Sequence, residues 1–140
     1  MTRRPHRKPA PRRGAAIVEF AFIIPVFLTL VVGMIELSRA IVVLQILTNA
    51  SRQGARIASY DTTMTTSPIT TAVNNYLSNE GISGATTVVS PSPPSSVADG
   101  QQISVTVSIP YSSVSWLASS FYLSGQTLQA TTTMCREPAI

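Results

Sequence analysis

Residues 15–35, AAIVEFAFIIPVFLTLVVGMI, constrain this chain more than any other stretch, because they hold a single charge, Glu19, in 21 positions. At about 1.5 Å per residue, a helix of that length runs about 31 Å, close to the hydrocarbon thickness of about 30 Å. Such a helix can cross a bilayer with its backbone groups paired internally. A cleaved secretory signal has a shorter apolar core, about 7–15 residues, followed by a small-residue exit. Here the sequence runs on as ELSRAIVVLQ in helical style, with no such exit. Cleavage on the far side of the segment is therefore the weaker reading. Pro25 removes one helical hydrogen bond and predicts a bend that membranes tolerate where neighbours cover it.

The formal charge of +4 would suggest a nucleic-acid partner if it were spread along the chain. It is not. Arg3, Arg4, Arg7, Lys8, Arg12 and Arg13 all precede Gly14, where no acid occurs. From Ala15 onward, Arg39, Arg52, Arg56 and Arg136 stand against Glu19, Glu36, Asp61, Glu80, Asp99 and Glu137, a net charge of −2. The basicity belongs to the leader. Directly before an apolar helix it reads as the signal that keeps the N-terminus cytoplasmic and sends the C-terminus outward. No nucleic-acid partner is expected. Charged residues make up only 11% of the chain, against about 25% in soluble domains, and Ser and Thr supply most of the polarity.

Glu19 is the anomaly. An acid inside a membrane segment costs about 2.5–3.5 kcal/mol on insertion scales, less near the interface, and normally needs a partner. No basic residue lies within one or two helical turns of it inside the bilayer. Were the bond after Gly14 cut, the new α-amino group of Ala15 would stand at the membrane boundary, four residues away. Among parallel helices, a neighbour shifted along the axis could bring its own amine to this carboxylate.

Arg12-Arg13-Gly14 followed by Ala15-Ala16-Ile17-Val18-Glu19-Phe20 resembles the type IV pilin pattern of basic leader, Gly, four small or apolar residues, Glu and an aromatic. The Glu-aromatic pair looks most like the Flp, or tight-adherence, branch, with Phe20 in place of the usual Tyr. With Pro25, Glu36-Leu37-Ser38-Arg39-Ala40 and Asn49-Ala50-Ser51-Arg52-Gln53-Gly54-Ala55-Arg56, the chain is similar to the TadE-like pseudopilins, and Thr133-Met134-Cys135-Arg136-Glu137 echoes them weakly. The likeness covers the first 60 residues well and the remainder loosely. It implies a prepilin peptidase that cuts after Gly14, and Glu19 and Phe20 as helix-packing residues. Pilin or pseudopilin subunits of a Flp-type system would be partners, and the bacterial cytoplasmic membrane the location. An uncleaved, single-pass anchored binding module stays open as the alternative.

The expected fold class is α+β, with a long N-terminal helix, a short second helix and a small antiparallel sheet. The expected divisions are a leader (1–14), a transmembrane helix (15–35), its amphipathic continuation (36–60) and a small exported domain (61–140). In the continuation, Leu37, Ala40, Ile41, Leu44, Leu47, Thr48, Ser51, Ala55 and Ala58 follow helical steps, opposite Arg39, Gln45, Asn49, Arg52, Gln53 and Arg56. Arg52 and Arg56 read as a solvated stripe. Ser67 and Pro68 signal the start of a second helix after a Thr-rich loop, Gly81 signals its end, and Ile69, Val73, Tyr76 and Leu77 form its buried face. Residues 86–90, 102–111 and 127–135 read as strands, joined in part by the Pro/Ser run 91–96 and the turn Asp99-Gly100. Trp116, Leu117, Phe121, Tyr122 and Leu123 suggest core packing, and Cys135 a half-buried strand end.

Catalytic chemistry is not expected. His6 is the sole histidine and lies in the leader, which rules out a Ser-His-Asp or histidine-metal arrangement after processing. The acids lack metal spacing and there is no Gly-rich phosphate loop. Neither a cofactor nor a small-molecule substrate is expected.

Overall fold

A computed structural model describes residues 13–60, 65–116 and 123–138. Residues 1–12 of the leader, part of the Thr-rich loop, and Leu117, Phe121 and Tyr122 lie outside the described residues. The chain comprises two units, one ending at Ile35 and one running from Glu36 to Ile140. Its elements are α1 (Arg13–Tyr60), α2 (Thr66–Asn79), β1 (Thr86–Ser90), β2 (Gln102–Pro110) and β3 (Thr127–Cys135), with short 3-10 turns at Pro94–Ser96 and Tyr111–Ser113. This is the expected α+β arrangement.

In the first unit, α1 is helical through Pro25, and its apolar side chains are exposed along most of its length. The Thr29 hydroxyl donates to the Pro25 carbonyl at 2.8 Å, so this polar group is satisfied within its own helix.

In the second unit, a three-stranded antiparallel sheet in the order β1-β2-β3 carries the core. Alternation along β2 is complete: Ile103, Val105, Val107 and Ile109 are fully buried, and the residues between them are not. The opposite face is held by hydroxyl pairs that follow the register. Ser104 bonds Thr133 and Thr106 bonds Thr131, each at 2.8 Å across directly paired positions.

The buried stripe of α1 departs from the expected one. Ala40, Leu47, Ser51, Ala55 and Ala58 are buried as expected, but Leu37 and Ile41 are 56% and 49% exposed, and Leu44 and Thr48 are half-buried. The stripe instead runs Glu36, Ala40, Val43, Leu47, Ala50, Gly54 and Ala58, in steps of three and four. Both sides of this stretch are apolar, so hydropathy alone did not discriminate between them. From Ala50 onward the inner side is marked by small residues, Ala50, Gly54, Ala55 and Ala58. Ser51 also ties α1 to β3: its hydroxyl donates to Thr48 O at 2.9 Å and accepts from the Thr132 hydroxyl at 2.7 Å.

The second helix begins two residues earlier than expected. Thr65 is its N-cap, without a side-chain cap bond, so Pro68 falls third in the helix. There its missing N–H costs nothing, because the first-turn donors have no helical acceptors. The end is as expected. Gly81 adopts φ +73°, its N–H reaches Ser78 O at 3.0 Å, and the Ile82 N–H reaches Leu77 O at 2.8 Å. These two bonds make a Schellman closure, with Ile82 and Leu77 both in the core. Ile69, Val73 and Leu77 are buried and Tyr76 is partly so.

Two expectations about the later residues fail. Trp116 is 72% exposed rather than part of the core, because it follows a 3-10 turn that spends its buried position on Tyr111. Cys135 is exposed, since it lies on the outward-facing alternation of β3. Leu123 does pack against the core.

At Gly54, α1 meets both α2 and β2. A Cβ there would stand 2.8 Å from Val73 Cγ2 and 3.0 Å from Val105 Cγ1. Both neighbours are β-branched and stiff, so they cannot swing aside. Gly54→Ala is expected to destabilise the full chain by about 1–3 kcal/mol through overpacking, despite a helix-propensity gain of about 1 kcal/mol. The urea midpoint in detergent measures this, and adding Val73→Ala should make the pair less than additive.

Candidate functional site

The residues singled out for processing and assembly lie in the first turns of α1. Gly14, Ala15, Glu19 and Phe20 are all exposed, among Ile17, Val18, Phe22 and Ile23, which are exposed too. Ala15 and Glu19, four apart, share one helix face. Among the described residues Glu19 has no ion-pairing partner. This end of the helix therefore offers a carboxyl group on an unpacked apolar surface.

Gly14 is informative by contrast with Gly54. A Cβ at Gly14 would meet nothing within 4 Å, and Gly14 is not among the glycines with positive φ. It is the second residue of α1. Neither packing nor backbone conformation accounts for it.

A second cluster forms where the second unit begins, and sequence reasoning missed it. Glu36 is only 1% exposed. The Tyr111 hydroxyl donates to Glu36 Oε2 at 2.7 Å, with the Glu36 carbonyl also at 3.0 Å, and the Ser115 hydroxyl donates to Oε1 at 3.0 Å. One turn on, Arg39 Nε donates to Val114 O at 3.1 Å, and its guanidinium lies 5.1 Å from the Trp116 ring centroid. Two side chains of α1 thus hold the segment 111–116. Glu36 and Tyr111 are 75 positions apart, and no motif links them.

A third feature is a groove of about 810 Å³ lined by Asn49, Arg52, Gln53, Arg56, Ile57, Tyr60 and Met134. Arg52 and Arg56 are exposed, and the Arg56 guanidinium lies 5.9 Å from the Tyr60 ring. Buried Arg136 also went unanticipated. It donates through Nη1 to Pro94 O at 2.9 Å and to Val97 O, and its Nε is 3.6 Å from Asp99 Oδ1. It therefore ties the end of β3 to the Pro/Ser run. Among the described residues, no three His, Cys, Asp or Glu side chains come together in a way that could hold a metal ion.

Burial of Tyr111, reinforced by its hydrogen bond to Glu36 and by the Glu36 charge, pushes its phenol from 10.0 up to about 12. A folded-state value above the unfolded one favours folding below pH 10 and loses that contribution as pH rises from 10 to about 12. Ultraviolet titration should therefore show one of the four tyrosines ionising late. Tyr111→Phe should abolish that late step and flatten the loss of stability over the same interval.

Neither a curated protein nor a solved structure matches the chain. Residues 14–56 match the family model described as TadE-like protein. The matched segment begins at Gly14, covers the apolar half of α1 and takes in Glu36, Arg39 and Gly54. Over that segment, the chain is similar to TadE-like proteins.

Proposed function

We propose that this chain is a TadE-like pseudopilin that is cut after Gly14 by a prepilin peptidase and acts in assembling a Flp-type, tight-adherence pilus. In this reading residues 15–35 cross the bacterial cytoplasmic membrane once, with the leader on the cytoplasmic side and the second unit exported. The role is structural rather than catalytic. Ala15 supplies a new N-terminal amine, and Glu19 neutralises the amine of a neighbouring pilin or pseudopilin helix as the two pack, beside Phe20.

The observation that carries this reading is Gly14 itself. It stands at the mouth of a helix long and apolar enough to cross a membrane, with no packing or conformational need for glycine. It is also the residue at which the TadE-like match begins. A recognition site for a peptidase gives a reason for it. Exposure of Glu19 fits a partner supplied by another subunit, since an acid left alone in lipid is costly.

The groove beside Arg52 and Arg56 favours a second reading, an uncleaved anchored module that binds a ligand there. N-terminal sequencing of protein from membranes with an active peptidase separates the two. Ala15 as first residue is expected, Gly14→Ala should slow the cut, and recovery of the intact leader alone would reject the pseudopilin reading. Glu19→Ala should leave cutting in place while reducing co-purification with pilus subunits. Unchanged co-purification would remove the amine-pairing role.

A further inference from the structure

The outward side of α1 stays largely apolar beyond the expected end of the span. Met34, Ile35, Leu37, Ile41 and Val42 are all exposed, with the small hydroxyl side chain of Ser38 exposed among them, and the next exposed polar side chains are Gln45 and Asn49. Measured from Ile17 to Val42, the exposed apolar surface covers about 38 Å of helix at about 1.5 Å per residue. That exceeds a hydrocarbon core of about 30 Å but fits within the roughly 40–45 Å that includes the headgroup layers. The residues just after Ile35 therefore belong at headgroup depth.

Three side chains at this level behave as that setting requires. Glu36, a carboxyl group that lipid would penalise, is turned inward onto Tyr111 and Ser115. Arg39 has an apolar stem and a cationic head suited to phosphates. Trp116, the single tryptophan of the chain, lies against that guanidinium and is largely exposed. Tryptophan is enriched at membrane interfaces, where its amphipathic ring has one apolar side and one polar edge. An exposed indole fixed to a helix four residues past Ile35 is out of place in water and well suited to that layer.

We propose that Trp116, held by Arg39, lies in the phospholipid headgroup layer, and that with Leu37, Ile41 and Val42 it forms a lipid-contacting surface on the second unit. The surface fixes the depth of the domain at the membrane. It rests on the reading of residues 15–35 as a membrane span.

Because Trp116 is the single tryptophan, its fluorescence in the full chain reports on this site alone. The chain is reconstituted into phosphatidylcholine vesicles, some carrying bromines near the headgroup end of the acyl chains and others deep in them. Blue-shifted emission is expected, quenched more by shallow than by deep bromines and shielded from acrylamide. Arg39→Gln keeps a donor for Val114 O but removes the cation, and should shift the equilibrium of Trp116 between held and released positions about two- to fivefold toward release, read as increased acrylamide quenching. Alkaline extraction of the same vesicles tests the span separately, and extraction of the chain would defeat that reading. A chain that resists extraction but shows water-like emission and no bromine quenching would overturn the proposal alone. Unchanged quenching in Arg39→Gln would overturn the role of Arg39.

Discussion

The change of surroundings along α1 is the constraint on which the rest of this protein depends. Through Ile35 the helix carries apolar residues on every side, interrupted by Glu19. From Glu36 one side is packed and the other is not. A helix can make this change because its backbone hydrogen bonds are internal, so only its side chains need to suit each environment. The first buried residue is an acid, and its partners are a phenol that donates to one carboxyl oxygen and a hydroxyl within reach of both. Each such bond contributes about 0.5–1.5 kcal/mol net, but an unmet buried polar group costs more. Tyr111 and Ser115 are therefore what makes burial of Glu36 acceptable, and their segment must stay where α1 can reach it.

Two glycines in this helix show how fold and function can be separated. Gly54 is required by its neighbours, since even one methyl group would intrude on Val73 and Val105. It belongs to a run of small residues, Ala50, Gly54, Ala55 and Ala58, which lets a helix lie close to a sheet with fully buried β-branched side chains. Gly14 has no such neighbours. The described residues give no structural reason for glycine there, and the peptidase site proposed above would supply one.

Legibility in the sequence followed the reach of the physics involved. Strands and turns depend on near neighbours, so the alternation of residues 102–110 and the Gly81 stop could be read directly. The start of α2 was misplaced because Ser67-Pro68 is a strong signal, yet a proline is also tolerated third in a helix, which lets Thr65 serve as the cap. The Glu36 cluster could not be read, because its partners lie 75 and 79 positions away and are ordinary residues in a Ser-rich stretch. Buried Arg136 was hidden for the same reason, its acceptors being backbone carbonyls of a distant loop. The candidate processing residues were legible because they form one local pattern.

The misread stripe of α1 carries information of its own. A helix on a soluble domain keeps its apolar residues inside, which predicts Leu37 and Ile41 in the core. Here the inner positions hold Ala40 and Val43, and the larger apolar residues point outward as far as Val42. In water, that arrangement would leave a patch with no purpose. On the proposal that this stretch lies at headgroup depth, the same residues would meet lipid, and apart from Ser38 the exposed polar side of α1 begins at Gln45. On that reading a helix bordered by lipid on one side and by a protein core on the other would have two apolar faces, so hydropathy alone would not mark the inner one.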